Sequence, residues 1–231
     1  MLPSRVFLFD VDGTLITARG AGRSALGRAL EATFGAQGPI EAYDFRGKTD
    51  PRIIRDLMLA AGVAEARIQA LMPACLAAYA GALAEAVGDG SRVQTLPGVA
   101  ELVRALGARG DLLLGLLTGN VETGARLKLG PTGLWPYFRV GAYGSDDPDR
   151  TRLPAIAAAR VERLTGAPVS MAQLTIIGDT PLDVECARAC GAVAVAVATG
   201  QHGVDELRAC GPDLIFRDFG DVPAALARLV G

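Results

Sequence analysis

Two carboxylates stand two residues apart, directly after an apolar run, in Asp10-Val11-Asp12-Gly13-Thr14-Leu15. Gly13 permits a tight turn there. A carboxylate is a workable nucleophile toward phosphorus: it forms an acyl phosphate and so splits one difficult displacement into two easier ones. With Asp10 attacking, Asp12 is placed to protonate the leaving oxygen and then to deprotonate a water. Those roles need different protonation states, and a cation beside Asp10 would hold it ionised while Asp12 carries the proton. The same residues also suit a plain Asp-Gly turn with two capping carboxylates.

A second acidic pair follows another apolar run in Ile176-Ile177-Gly178-Asp179-Thr180-Pro181-Leu182-Asp183. Thr180 fits a helix N-cap, Pro181 the first helical position, and Asp183 a site favoured by the helix dipole. Capping explains those three but not Asp179 at the strand end. Carboxylates converging with room for water suit magnesium, a hard octahedral cation that offsets repulsion between aspartates and a phosphate. Thr118-Gly119-Asn120 closes a Leu-rich run. Its hydroxyl and backbone N–H groups make either a phosphate cradle or a simple N-cap. Charge on the equatorial oxygens in phosphoryl transfer calls for a cationic side chain, with Arg150 and Arg152 as candidates.

These residues need elements that bring them to one place. The run at residues 6–9 reads as a buried strand ending at Asp10. Residues 19–90 change character to Ala- and Leu-rich helical segments at 21–34, 51–61 and 65–86, a separate helical block with no convincing strand. Beyond Thr95-Leu96-Pro97-Gly98 helices alternate with strands: helices at 99–108, 121–128, 153–164, 182–190 and 222–229, strands at 112–117, 174–177, 193–197 and 213–216. This alternation implies an α/β parallel sheet with helices on both faces. Ligands bind such sheets outside the carboxyl ends of the strands. Asp10, Thr118 and Asp179 each follow a strand and are thereby expected on one edge.

Composition narrows the partners. The 231 residues are half apolar, with a formal net charge of −2 and no basic runs, so no nucleic acid is expected. The most apolar stretches, 112–117 and 192–198, are far shorter than the roughly 20 residues that cross a bilayer. No signal peptide precedes the first strand, and the expectation is a cytoplasmic protein with no membrane partner. Cys75, Cys186, Cys190 and Cys210 read as reduced thiols. Cys186 and Cys190 share a helix face and read as small core-facing residues, and His202, the single histidine, reads as a solvated loop residue.

Taken in order, D-V-D-G-T-L at 10–15, L-L-T-G-N at 116–120, a basic residue near 150 and G-D-T-P-L-D at 178–183 resemble the four motifs of the haloacid dehalogenase superfamily. The usual third-motif Lys is replaced within Asp149-Arg150-Thr151-Arg152-Leu153-Pro154, which resembles the D-R-x-x-L of phosphoglycolate-phosphatase-like members and favours Arg150. The resemblance implies a Rossmann-like catalytic core (1–17 and 92–231) with an inserted all-helical cap domain (18–91). It implies Asp10 as nucleophile, Asp12 as general acid and base, and Thr118, Gly119, Asn120 and Arg150 at the phosphate. Mg2+ would be held by Asp10, Asp12 through its backbone carbonyl, and Asp179, with Asp183 supporting. Within the cap, Phe45-Arg46-Gly47-Lys48-Thr49-Asp50-Pro51 resembles a segment that approaches the catalytic edge, so Lys48 or Arg46 could orient an anionic substrate group; Asp50 as N-cap before Pro51 is the simpler reading of its end. The implied activity is hydrolysis of a small phosphorylated metabolite, a phosphoglycolate or sugar phosphate. Phosphosugar mutase, phosphonate hydrolysis and silent phosphate binding are the alternatives. Dehalogenation is disfavoured because displacing halide from carbon needs no proton donor such as Asp12.

Overall fold

The computed structural model describes residues 3–231. In chain order the elements are β1 (Arg5–Phe9), β2 (Ile16–Thr17), α1 (Ala21–Phe34), α2 (Asp50–Ala60), α3 (Glu65–Val87), β3 (Gln94–Thr95), α4 (Val99–Gly107), β4 (Leu112–Thr118), α5 (Glu122–Leu129), β5 (Val140–Tyr143), α6 (Leu153–Thr165), β6 (Leu174–Gly178), α7 (Pro181–Cys190), β7 (Val193–Val197), α8 (Val204–Ala209), β8 (Leu214–Phe216) and α9 (Val222–Val230). Six strands form one sheet in the order β5-β4-β1-β6-β7-β8, every pairing parallel. The expected α/β architecture is borne out. Four elements were not legible: the two-residue strands β2 and β3, β5, a four-residue edge strand containing Gly141, and α8, which lies where the sequence reads as a Gly-rich loop.

Both sheet faces are covered, which is why the strands read as continuous apolar runs. Phe7, Phe9, Leu114, Leu116 and Ile177 pack on one face with α4 and α9. Val6, Leu8, Leu117, Leu174 and Ile176 pack on the other with α6 and α7. Each such side chain removed from water is worth about 1.5–3 kcal/mol. A third apolar cluster lies apart among α1, α2 and α3, around Leu26, Leu30, Ile54, Leu57 and Leu83. The chain enters and leaves this helical block through a two-stranded antiparallel ribbon, Ile16 opposite Thr95 and Thr17 opposite Gln94. At 23 residues, α3 is long and apolar enough by composition to span a bilayer, a feature the shorter runs of the sequence reading did not capture. Its buried side chains, Ile68, Cys75, Tyr79 and Leu83 among them, pack within that third cluster.

β1 is the point where strand order reverses, with β4 on one side and β6 on the other. Register aligns Phe9 with both Leu116 and Ile177. Asp10, Thr118 and Asp179 therefore emerge within two residues of one rung, at the crevice where such sheets bind ligands.

Tight packing of β1 on β4 uses a glycine. Leu8 lies opposite Gly115, where an added Cβ would fall 2.6 Å from Val140 Cγ2 and 2.9 Å from Leu8 Cδ2. Gly115→Ala is expected to destabilise the protein by about 1–3 kcal/mol through overpacking, read as a lower urea midpoint at unchanged slope. An unchanged midpoint would show that the β1–β4 seam has slack.

Candidate active site

The turn after β1 is closed by backbone hydrogen bonds: Gly13 N–H donates to Ile16 O (2.8 Å), and Leu15 N–H and Ile16 N–H donate to Val11 O. Gly13 takes φ +84°, the left-handed region that favours glycine. This turn returns the chain toward the ribbon and leaves Asp10 and Asp12 at the sheet edge. Asp10, Asp12, Thr118, Asn120, Arg150 and Asp179 line one cavity of about 440 Å³ between that edge and the helical block.

Arg150 lies in a 3-10 turn (Arg150–Arg152) capped by Asp149, ahead of α6. Its guanidinium is buried, 3.4 Å from Asp10 Oδ1, and it also donates to Asp183 Oδ1 and to Leu117 O (3.3 Å). Arg152 is instead exposed (71%) and faces Asp147 and Asp149. Burial opposes the charge on Arg150, but Asp183 and Asp10 outweigh it and hold the group above its ordinary range. Asp183 serves two elements at once. Its Oδ2 accepts from the Thr180 N–H (3.0 Å) and hydroxyl (2.7 Å) in a capping box at the start of α7, while Oδ1 grips Arg150.

Asp10 is short of positive charge. Burial pushes its carboxyl up to about 6, Arg150 offsets part of this, and Asp183 adds to it. Asp179 is raised well above its ordinary value by burial and by Asp183 and Asp10. Asp10 Oδ1 has no hydrogen-bond partner although it is buried. Asp10, Asp179 and Asp183 each offer an oxygen within 4.8 Å of the others, a cluster able to hold a cation. Thr14 donates to Asp179 Oδ1 (3.0 Å), and a Cβ at Gly13 or Gly200 would collide with the Asp179 carboxylate, so both glycines make room for it.

Asp12 faces a different cation. Lys128, in the last turn of α5, donates to Asp12 Oδ2 (2.5 Å) and to Asn120 Oδ1 (2.6 Å), and Asn120 Nδ2 donates to the same Asp12 oxygen (2.9 Å) and to Thr118 Oγ1 (2.9 Å). Burial opposes charge on Lys128, yet Asp12, Tyr79 and Asp50 outweigh it and raise its ammonium above the ordinary range. Sequence reasoning missed Lys128. Its only signal was a lysine four residues past Gly124 on a helix entered from the second motif. Thr118 to Asn120 do not cap α5, whose N-cap, Val121, has no side-chain hydrogen bond.

From the helical block, residues 45–50 press onto the sheet edge. A Cβ at Gly119 would collide with Lys48 O, and one at Gly47 would fall 2.7 Å from Thr180 Oγ1. Thr49, not Asp50, caps α2, accepting from Arg52 N–H (3.4 Å) and donating to Pro148 O (2.7 Å). The cap falls one residue early because Asp50 is already helical, and its carboxylate is thereby free to accept from Val121 N–H (2.8 Å). Lys48 lines the cavity with its Nζ 4.1 Å from the centre of the Tyr43 ring, whereas Arg46 is paired with Asp44. His202 is buried and lies 2.7 Å from Glu206, a partner supplied by α8, so it is not the solvated residue expected. Cys186 is buried in the core and Cys190 only partly, with all four thiols free.

The haloacid dehalogenase-like hydrolase model matches residues 7–188, and the chain belongs to that enzyme family. The resemblance read from the four motifs is borne out. The chain is 29% identical over 237 residues to "Probable phosphatase IndB" of Dickeya dadantii (strain 3937), covering 96% of this chain and 94% of that one. It is 28% identical over 233 residues to a phosphoglycolate phosphatase of Synechococcus elongatus, covering 98% and 99%. Among solved structures, a hydrolase from Pseudomonas syringae shares the fold at TM-score 0.72 and 22% identity over 98% of this chain and all of that one. CbbY from Rhodobacter sphaeroides, in complex with phosphate, does so at 0.65 and 18% over 96% of each.

Asp50 gives this site a pH signature. Burial pushes its carboxyl from 3.8 up to about 6, with Lys128 and the Val121 N–H offsetting part of the rise. The folded state therefore binds this proton more tightly than the unfolded chain. Stability from this group is complete below about pH 4 and is lost as pH rises through about 6. Asp50→Asn keeps an acceptor for Val121 without the ionisation, so between pH 4 and 7 wild type should lose up to roughly 3 kcal/mol relative to the variant. Urea titrations at each pH read the difference. A pH-independent difference would show that Asp50 titrates alike in both states.

Proposed function

We propose that this hydrolase is a magnesium-dependent phosphatase of a small phosphorylated metabolite, acting through an aspartyl-phosphate on Asp10. The observation that carries the reading is the buried Asp10 carboxylate, one oxygen without a hydrogen bond, facing Arg150 at 3.4 Å in a cavity that Asp12 shares. Its relatives named as phosphatases support the same reading.

In the first step an Asp10 oxygen bonds to phosphorus, the phosphorus–oxygen ester bond breaks, and Asp12 passes a proton to the departing alkoxide. In the second a water, giving its proton to Asp12, attacks the phosphoryl group and releases Asp10 and inorganic phosphate. Thr118, the Gly119 and Asn120 backbone and Arg150 bind the phosphoryl oxygens, and the permanent guanidinium charge replaces the usual lysine. Asp10, the Asp12 carbonyl and Asp179 would hold Mg2+, with Asp183 behind them; the unpartnered Asp10 oxygen and the surplus of buried carboxylate fit such a cation. When bound, magnesium neutralises charge between the aspartates and the phosphate.

Residues 18–91 act as the cap, excluding water and selecting the substrate. Lys48, at the cavity wall with no carboxylate paired to it among the described residues, binds a second polar group of the substrate, the carboxylate of phosphoglycolate or the hydroxyls of a sugar phosphate.

Phosphate release from a panel of phosphorylated metabolites is expected with magnesium, to be lost with chelator, and to fall at least about a thousandfold in Asp10→Asn. Transfer of phosphate between sugar hydroxyls without net release would establish a mutase instead, and no chemistry with any ester would leave a phosphate-binding protein.

A further inference from the structure

Burying an ammonium is expensive unless its hydrogen bonds are met. Lys128 is only 5% exposed, and two of its three N–H groups are committed, one to Asp12 Oδ2 and one to Asn120 Oδ1. It touches neither Asp10 nor Asp179 within ion-pair range, so it is not the counter-ion of the acidic cluster. Neutralising Asp50 on the cap side could account for its charge, but among the described residues no hydrogen bond joins the two. What Lys128 does hold is one oxygen of Asp12.

The grip is two-pointed and one-sided. Lys128 Nζ at 2.5 Å and Asn120 Nδ2 at 2.9 Å converge on Oδ2, and Asn120 is itself fixed by Lys128 through its Oδ1 and by Thr118 through Nδ2. Oδ1 of Asp12 enters no hydrogen bond among the described residues, and the side chain is 42% exposed where it lines the cavity. Two donors converging on one oxygen leave a short carboxylate side chain little rotation. The direction of the free oxygen is thereby set. Proton transfer needs the donor oxygen within about 2.6–3.2 Å of the atom it protonates, so a fixed direction is worth rate.

We propose that Lys128 is a positioning residue for the reaction: through Oδ2, and with Asn120 as its partner, it aims the free oxygen of Asp12 at the leaving group. The inference rests on Asp12 being the proton donor. It deepens that reading by assigning a part to a lysine that lies in none of the four motifs. Lys128 also stands where core meets cap, beside Gly22 at the start of α1: a Cβ there would lie 3.4 Å from Nζ and 3.6 Å from the Tyr79 hydroxyl. Space for its head thus depends on the helical block being seated.

Leaving-group dependence separates aiming from mere support, because an aryl ester departs without a proton and an alkyl ester does not. The probes are p-nitrophenyl phosphate and the alkyl monoester turned over fastest among phosphoglycolate, glycerol 3-phosphate and glucose 6-phosphate. Lys128→Met is expected to lower the alkyl-to-aryl ratio of kcat/KM, which reports the step in which the leaving group departs, by about 10- to 100-fold, a share of what general acid catalysis contributes. Lys128→Arg should recover part of the ratio. The double variant Asp50→Asn/Lys128→Met removes the buried acid that Lys128 faces, and should show the same loss if the single variant folds poorly.

Asp12→Asn run alongside should give the larger fall. If Asp12→Asn leaves the ratio unchanged, the proton-donor reading fails and the inference falls with it. If Asp12→Asn lowers the ratio while Lys128→Met and the double variant lower both esters equally, or neither, Lys128 is structural and the proposal alone is overturned.

Discussion

One guanidinium between two buried carboxylates organises this molecule. Arg150 contacts Asp10 from β1 and Asp183 from α7, and its own backbone carbonyl lies 3.4 Å from the Cys186 thiol on the same helix. Buried charges separated from their partners cost several kcal/mol each, so none of these groups is tolerable alone at this depth. The 3-10 turn, the capping box of α7 and the end of β1 must therefore form together. That requirement ties segments more than a hundred residues apart to one geometry, and leaves Asp10 with a deficit of positive charge that a cation could fill.

Close backbone contact extends the constraint to the helical block. The Asp50 N–H donates to Gly119 O (2.8 Å), its carboxylate accepts from Val121 N–H, and Thr49 reaches Pro148 O. Two of these bonds join the start of α2 to the loop between β4 and α5, and the third joins its N-cap to the loop after β5. Side chains at Gly47, Gly119 or Gly144 would hold those loops apart, since a Cβ at any of them meets atoms of the opposing segment. The floor of the cavity is thus shared between two apolar clusters, and the narrow ribbon of β2 and β3 is the covalent route between them.

Much of this was legible in the sequence because the strong signals are local. Apolar runs ending in Asp10, Thr118 and Asp179 gave both the strands and the edge, since a parallel sheet converts strand ends into neighbours. Weak or borrowed signals were lost. β5 is short, lies at the sheet edge and carries Gly141, so its pattern does not stand out from the turns before it. His202 gains burial from α8, an element six residues long that sequence periodicity does not resolve. Asp50 reads as a cap because it precedes Pro51, yet Thr49 has the extended backbone a cap requires and takes that position.

Lys128 shows most clearly why a motif reading stops short. Motifs record residues that lie near one another in sequence and share a strand end, whereas Lys128 reaches Asp12 only because α5 folds back across the edge that β4 has just left. Its helical neighbours give no hint of an inward lysine, because Arg126 two residues earlier is exposed in the same last turn. The two catalytic-edge carboxylates consequently have separate cations: Arg150 from the segment after β5 faces Asp10, and Lys128 from α5 faces Asp12. A single shared cation would couple the orientation of the two acids. Separate ones let Asp10 be set by the sheet and Asp12 by α5, the helix whose Lys128 head lies beside Gly22 of the helical block, so the two carboxylates are oriented independently.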